Sequence, residues 1–352
     1  MSRLLTLVMV SSIAGILAFG QETPAPSGKA LEQAREWVEE HQLDKANALL
    51  SEVVRHDPGN QAALAELGRV QLAQGLNDDA LKSFEAVLGN QPNSAPAREG
   101  EVKAAIAVAL ADRQAGINDS ALMCLIRARK FVPDSPELLF AFGVQAENMR
   151  IYGDADIALT RAHELAPADP RILYALAHVE LDEQKAPEAE VNLRAYLKVR
   201  PDDATAHYGL GLLLHRMLRS DEAKAELESS IALQPRQSGS YYELGEIALE
   251  QNQNSEARSN YEKVLALAPH HGGALTGMGI LAYRAKDYGT AEKYLQSAVF
   301  YASDYARAHH YYSLVLARLG RQDESERESK LARSLDEQQT KASRGNFLTV
   351  LE

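Results

Sequence analysis

Small, large and helix-ending residues return along this chain at a fixed interval of 34 positions. Pro58 and Pro92 stand 34 apart; Pro133, Pro167, Pro201, Pro235 and Pro269 keep the same step, and two further steps reach Ser303 and Glu337. Twelve residues before these nine points lie Ala46, Ala80, Ala121, Ala155, Ala189, Ala223, Ala257, Ala291 and Ser325. Twenty-four before them lie Ala34, Gly68, Ala109, Gly143, Ala177, Gly211, Gly245, Gly279 and Ser313, again all small. Eight before them the residue is large: Leu50, Phe84, Leu125, Leu159, Leu193, Leu227, Tyr261 and Leu295, with Ser329 as the exception. A period of this length marks a stacked array of supersecondary units. Two small positions per period let two helix backbones approach where they cross, and the large residue fills the space between successive hairpins. Proline ends the second helix because it has no N–H to donate. Ser135-Pro136 and Asp169-Pro170 combine a cap with a first-turn proline and open the helix that follows.

These positions carry a family resemblance. Residues 240–245 (SYYELG) and 257–269 match the W-x2-L-G-x2-Y…A-x3-F…P pattern, and the chain resembles the tetratricopeptide repeat family over about residues 27 to 337. The resemblance implies an all-α fold, a right-handed α-solenoid of about nine tetratricopeptide helix-turn-helix repeats. Its concave groove would be lined mainly by the first helix of each pair. The domain boundaries expected are a signal peptide at 1–20, a linker at 21–29, the repeats at 30–337 and a tail at 338–352. One interval departs from the rule. Pro92 to Pro133 is 41 residues, and the seven extra ones are nearly two turns of helix. They are expected at the start of the third pair's first helix, as a segment protruding from the stack. In the last period, Ser325 and Ser329 replace apolar or alanine positions, as a solubilising cap requires.

The N-terminus has a different pattern. Met1-Ser2-Arg3 precedes an apolar run over residues 4–19, and Ala18-Phe19-Gly20 puts small residues at both sites a signal peptidase reads. This predicts an export signal cut after Gly20 and a periplasmic or secreted protein. The alternative is an N-terminal membrane anchor, against which the run is shorter than the ~20 residues a spanning helix needs. Pro24 and Pro26 keep the following stretch extended.

Composition narrows the function classes. Lys and Arg total 37 against 49 Asp and Glu, a net charge of −12, and no dense basic run occurs, so nucleic acid is not an expected partner. A single cysteine, Cys124, excludes an intrachain disulfide and a cysteine-based zinc site. No phosphate-loop, zinc-protease, C-x-x-C or nucleophile-elbow motif is present, and the repeats leave no segment long enough for a catalytic domain. No enzyme activity, cofactor or metal is therefore expected. The adjacent pairs His270-His271 and His309-His310 diverge by about 100° on a helix and do not chelate as an i, i+4 pair would. Asn118-Asp119-Ser120 matches a glycosylation sequon and equally suits a turn.

The candidate site is a ladder on the first helices. Phe140, Tyr174, Tyr208 and Tyr242 recur at 34; four residues on lie Val144, His178, Leu212 and Glu246, and seven on lie Glu147, Leu181, His215 and Leu249. Offsets of four and seven share one helical stripe. Two readings stand. The rings pack between neighbouring pairs, or they contact a peptide or partner helix laid in the groove. The carboxylate-gripping Lys/Asn/Lys/Arg set of some tetratricopeptide co-chaperones is not reproduced at the matching positions Leu31, Arg35, Ala65 and Arg69. The expected function is a non-enzymatic scaffold or adaptor of the cell envelope or periplasm that binds a protein or peptide. The alternatives are a regulatory or accessory subunit of an enzyme or of a secretion or polysaccharide-export complex, and a ligand or metal receptor.

Overall fold

The computed structural model describes residues 27–348, with side chains to residue 338. The expected export signal at 1–20 and residues 21–26 of the expected linker lie outside the described residues. Among the described residues there are eighteen α-helices and no strand. They fall into two units, one ending at Phe142 and one beginning at Gly143. The first holds α1 (Ser27–Glu39), α2 (Leu43–His56), α3 (Gln61–Ala73), α4 (Asn77–Asn90), α5 (Ala95–Gln114) and α6 (Asn118–Phe131). The division falls within α7 (Pro136–Asn148). The second holds α8 (Tyr152–Leu165), α9 (Pro170–Asp182), α10 (Ala186–Val199), α11 (Ala204–Arg216), α12 (Ser220–Leu233) and α13 (Ser238–Glu250). It continues with α14 (Asn254–Leu267), α15 (Gly272–Arg284), α16 (Tyr288–Tyr301), α17 (Ala306–Arg318) and α18 (Gln322–Leu348). The first three residues of α1 belong to the stretch read as linker, and α18 runs eleven residues past the expected end of the repeats at 337, to Leu348.

The small and large positions of the period meet within each pair. A Cβ added at Gly68 would stand 2.8 Å from the Phe84 ring; at Gly211 it would stand 2.7 Å from Leu227, and at Gly279 2.5 Å from Leu295. Each large residue is sixteen positions after its glycine, on the facing helix. Some of these side chains also reach the next pair. Phe84 packs against Gly100 of α5, and Tyr261 against both Gly245 of α13 and Gly277 of α15. Phe84 and Tyr261 are fully buried.

The turn inside each pair has its own 34-residue period, which hydrophobicity does not display. His41, Arg150, Gln184, Leu218, Asn252 and Lys286 have positive φ near 60°, and Gly75, Gly116 and Gly320 take the corresponding places. The next N–H reaches back five residues, from Arg219 to the Leu214 carbonyl at 2.9 Å and from Gln253 to Ala248 at 2.8 Å. This left-handed cap satisfies carbonyls that would otherwise be orphaned at the end of the first helix. It recurs even where the residue is Leu218, although a side chain there costs about 1 kcal/mol.

The seven extra residues make α5 twenty residues long where α3 and α9 have thirteen. They do not protrude. Ala97, Gly100 and Glu101 are buried where α5 packs on α4. Gly100 stands sixteen residues after Phe84, the interval that separates Gly277 from Tyr261, while Ala109 stands sixteen before Leu125 of its partner α6. The two added turns therefore lie between the face that meets α4 and the face that meets α6. They displace one contact from the other by about 10 Å along the helix and leave both facing the stack. Burial of the added turns, which the repeat period alone cannot indicate, replaces the expected projection.

Candidate functional site

The second unit places most of the candidate residues on its first helices. Tyr174 of α9 is half-buried, with its ring 4.6 Å from His178 and 5.0 Å from Tyr196 of α10. The Tyr196 hydroxyl donates to Asp203 at 2.6 Å, and burial pushes that phenol up to about 12. Tyr208 of α11 lies over Gly239 at the start of α13, where a Cβ would come within 3.0 Å of the ring; Tyr242 of α13 lies over Gly273 of α15, at 2.7 Å. These two rings thus pack on the next pair, each on a glycine 31 residues further along. Val144, Leu181 and Leu212 are half-buried and His178 is exposed. Phe140 is half-buried and lies in the first unit.

His215 of α11 is held on both sides by α13. Its Nδ1 lies 3.0 Å from Glu243 and its Nε2 3.2 Å from Glu250. Two carboxylates as partners make both ring nitrogens donors, so the imidazolium is the favoured form. The hydrogen bond to Glu243 raises the pKa above its ordinary 6.5, against an opposing desolvation. The contribution of this clasp to stability is complete below 6.5 and disappears as pH rises through the raised folded value. His215→Gln should remove that decline. Urea unfolding across pH 5 to 9, together with an NMR titration of the ring, checks it; a His215 midpoint at or below 6.5 would contradict the clasp.

Further along, the first-helix face is closed by the chain itself. Ala274 to Ala282 of α15 are all buried, Ile280 with no exposure at all. In an open groove, one stripe of such a helix would face solvent. Here Tyr242 covers Gly273, Tyr261 covers Gly277, and Arg307 of α17 crosses to Glu246 of α13. Glu246 also accepts from the Tyr261 hydroxyl at 2.6 Å. Burial, with the neighbouring Glu246 charge, raises the Tyr261 phenol far above its ordinary range. Burial likewise raises Tyr242. Glu246, expected from its spacing to line the groove, is instead a buried acceptor already engaged twice, and Tyr242 is a packing ring beside it. The repeat spacing does not point to Arg307. Gly273 and Gly277 leave α15 without side chains where the Tyr242 and Tyr261 rings lie, and the sequence carries no comparable signal for Arg307.

The open part of the face is thus α9 and α11, with Tyr174, His178, Leu181, Tyr208 and Leu212. Among the described residues no three His, Cys, Asp or Glu side chains are placed to hold a metal ion. Cys124 is half-buried, and burial pushes its thiol up to about 12, which leaves it protonated. No helix among the described residues is long and apolar enough to cross a membrane.

Comparison with known proteins gives a consistent family. One tetratricopeptide repeat model matches residues 38–108 and 248–319, and a second matches 174–238 and 216–272; together they span more than half of the chain. No curated protein matches the sequence. Among solved structures, PilF of Pseudomonas aeruginosa is similar at 20% identity with a TM-score of 0.53, over 63% of this chain and 99% of that one. The Cut9–Hcn1 hetero-tetramer of the APC/C is similar at 15% identity with a TM-score of 0.51, over 84% of this chain and 57% of that one. Proteins of this repeat type bind protein or peptide partners and are generally non-catalytic scaffolds. With its small crossing residues, its paired helices and both repeat models in agreement, the chain belongs to the tetratricopeptide repeat family.

Proposed function

We propose that the protein is a non-enzymatic scaffold of the cell envelope or periplasm that docks a peptide or partner helix on the first-helix face of α9 and α11. The observation that carries this is the contrast along one unit. Where α13 and α17 close over α15, the face is filled with the chain's own side chains. On α9 and α11 the same repeat positions hold exposed His178 and half-buried Tyr174, Leu181 and Leu212. Half-exposed aromatic and aliphatic side chains on rigid helices suit a partner segment anchored by a few apolar residues. The absence of catalytic motifs in the sequence supports the non-enzymatic part of the reading, and the apolar run over residues 4–19 followed by Gly20 supports export.

The test is affinity capture with crosslinking from the envelope fraction of the producing cell, using wild type and the double variant His178→Glu, Leu212→Glu. Partner capture should fall at least tenfold while helical circular dichroism is unchanged. Undiminished capture would move the interface elsewhere. A catalytic turnover abolished by the same variant would replace the scaffold with an enzyme. N-terminal sequencing of the exported protein should begin at Gln21; a chain still beginning at Met1 would favour the anchored form.

A further inference from the structure

The docking face has one place where its charges are not balanced. Repeat register makes the seventh-stripe residue of one first helix the neighbour of the residue 35 positions later on the next. His215 meets Glu250 in this way at 3.2 Å, and Arg284 donates to the carbonyl of Leu249 at 3.0 Å. The same register joins Glu147, in the last turn of α7, to Asp182 at the end of α9. Two carboxylates therefore stand where the later pair has a cation and an anion. Neither has a hydrogen-bond or ion-pair partner among the described residues. Burial, and then the charge of Asp182, raises the Glu147 carboxyl above its ordinary range.

Elsewhere along this face the carboxylates are compensated from within. Glu243 and Glu250 have His215, and Glu246 has Arg307 and Tyr261. The uncompensated pair borders the open stretch, beside Leu181, the residue immediately before Asp182, and Tyr174 two turns earlier. Resting on the docking reading above, we infer that the α9–α11 face receives a basic amphipathic segment of a protein partner, with its apolar side on Tyr174, Leu181 and Leu212 and one Lys or Arg side chain between Glu147 and Asp182. A cation there would relieve the repulsion of the two carboxylates and gain a charge-assisted hydrogen bond from each. An acidic segment would add a third negative charge beside half-buried Glu147 and exposed Asp182, so the pair also discriminates between partners.

The experiment uses the full chain and a designed 18-residue amphipathic helix of Leu, Ala and Lys, with a counterpart in which every Lys is Glu. Binding is followed by fluorescence anisotropy at low and moderate salt. The basic peptide should bind and the acidic one should bind at least tenfold more weakly. The double variant Glu147→Gln, Asp182→Asn should weaken the basic peptide by at least about tenfold, the size of one charge-assisted hydrogen bond. The control Glu228→Gln, Glu262→Gln removes the same charge from exposed positions on α12 and α14 and should leave affinity within twofold. Equal loss in both double variants would mean diffuse attraction to an acidic protein and would overturn the inference, as would no loss in either or no binding of the basic peptide. Peptide binding that depends on Leu212 but not on Glu147 and Asp182 would overturn this inference alone. Binding indifferent to Leu212→Glu would overturn the docking face itself.

Discussion

Glu101→Leu should stabilise the first unit by about 4 kcal/mol more near pH 8 than near pH 4.5. Glu101 has no exposed surface, and neither of its carboxyl oxygens has a partner. It occupies the helix position that holds Leu67, Leu176, Leu210, Leu244 and Met278 in other pairs. Burial, and then the neighbouring Glu85, raise its pKa to about 8, with Arg127 of α6 opposing weakly from beyond its own ion pair with Glu85. The ordinary value is 4.5, so between 4.5 and about 8 the folded chain holds a proton that the unfolded chain has released. Stability therefore falls as pH rises through that window, by about 1.4 kcal/mol for each pH step of one, and is flat above it. Leucine removes both the proton linkage and the cost of an unpartnered buried carboxyl. Glu101→Gln should remove the pH slope while retaining most of the unpartnered polar cost, which separates the two effects. Trp37 of α1 is the chain's only tryptophan and is packed in the first unit's core, so urea unfolding followed by its fluorescence reports on that unit. A wild-type midpoint that does not decline between pH 5 and 8 would show that Glu101 is ionised in the folded protein.

The second large effect comes from two glycines at one repeat position. Gly209 and Gly277 each stand two residues before the crossing glycine of their first helix. At Gly277 an added Cβ would lie 2.4 Å from the Tyr261 ring; at Gly209 nothing lies within 4 Å. Gly277→Ala should therefore destabilise the second unit by about 3 kcal/mol, because Tyr261 is fully buried, tied to Glu246 and without room to withdraw. Displacing it would also loosen the Arg307 crossing. Gly209→Ala should stabilise by about 0.5–1 kcal/mol, the gain in helix propensity alone. Hydrogen exchange of the α11 and α15 amides separates the two sites in a repeat protein, where unfolding is carried by local and nearest-neighbour terms. Equal signs for the two substitutions would refute the packing difference.

The contrast between these glycines shows how far a repeat pattern reaches. The position sixteen residues before Gly277 is Tyr261, and before Gly209 it is Leu193. A ring spans the gap to the next pair and a leucine does not, a difference of reach visible only once the helices are stacked. The candidate site divides for the same reason. Spacing alone placed Tyr174, Tyr208 and Tyr242 on one stripe, but only packing showed Tyr208 and Tyr242 lying over Gly239 and Gly273 of the following pairs. Glu246 and Leu212 are equivalent by period, yet Arg307, 61 residues beyond Glu246, closes one of them and leaves the other half-exposed. A periodic pattern relates residues at multiples of 34 and has no means of selecting a single cross-helix partner at another separation.

By itself the amino-acid sequence determined the family, the helix pairs and the residues at which they cross. Those features depend on side-chain size and on helix-ending residues, which repeat locally and need no knowledge of distant contacts. The tertiary structure decided where the seven extra residues of α5 go, which carboxylates are buried or paired, and which stretch of the first-helix face stays open. Each of these depends on which side chains from different pairs meet in space, where a buried charge, or a ring in place of a leucine, changes the outcome without changing the repeat.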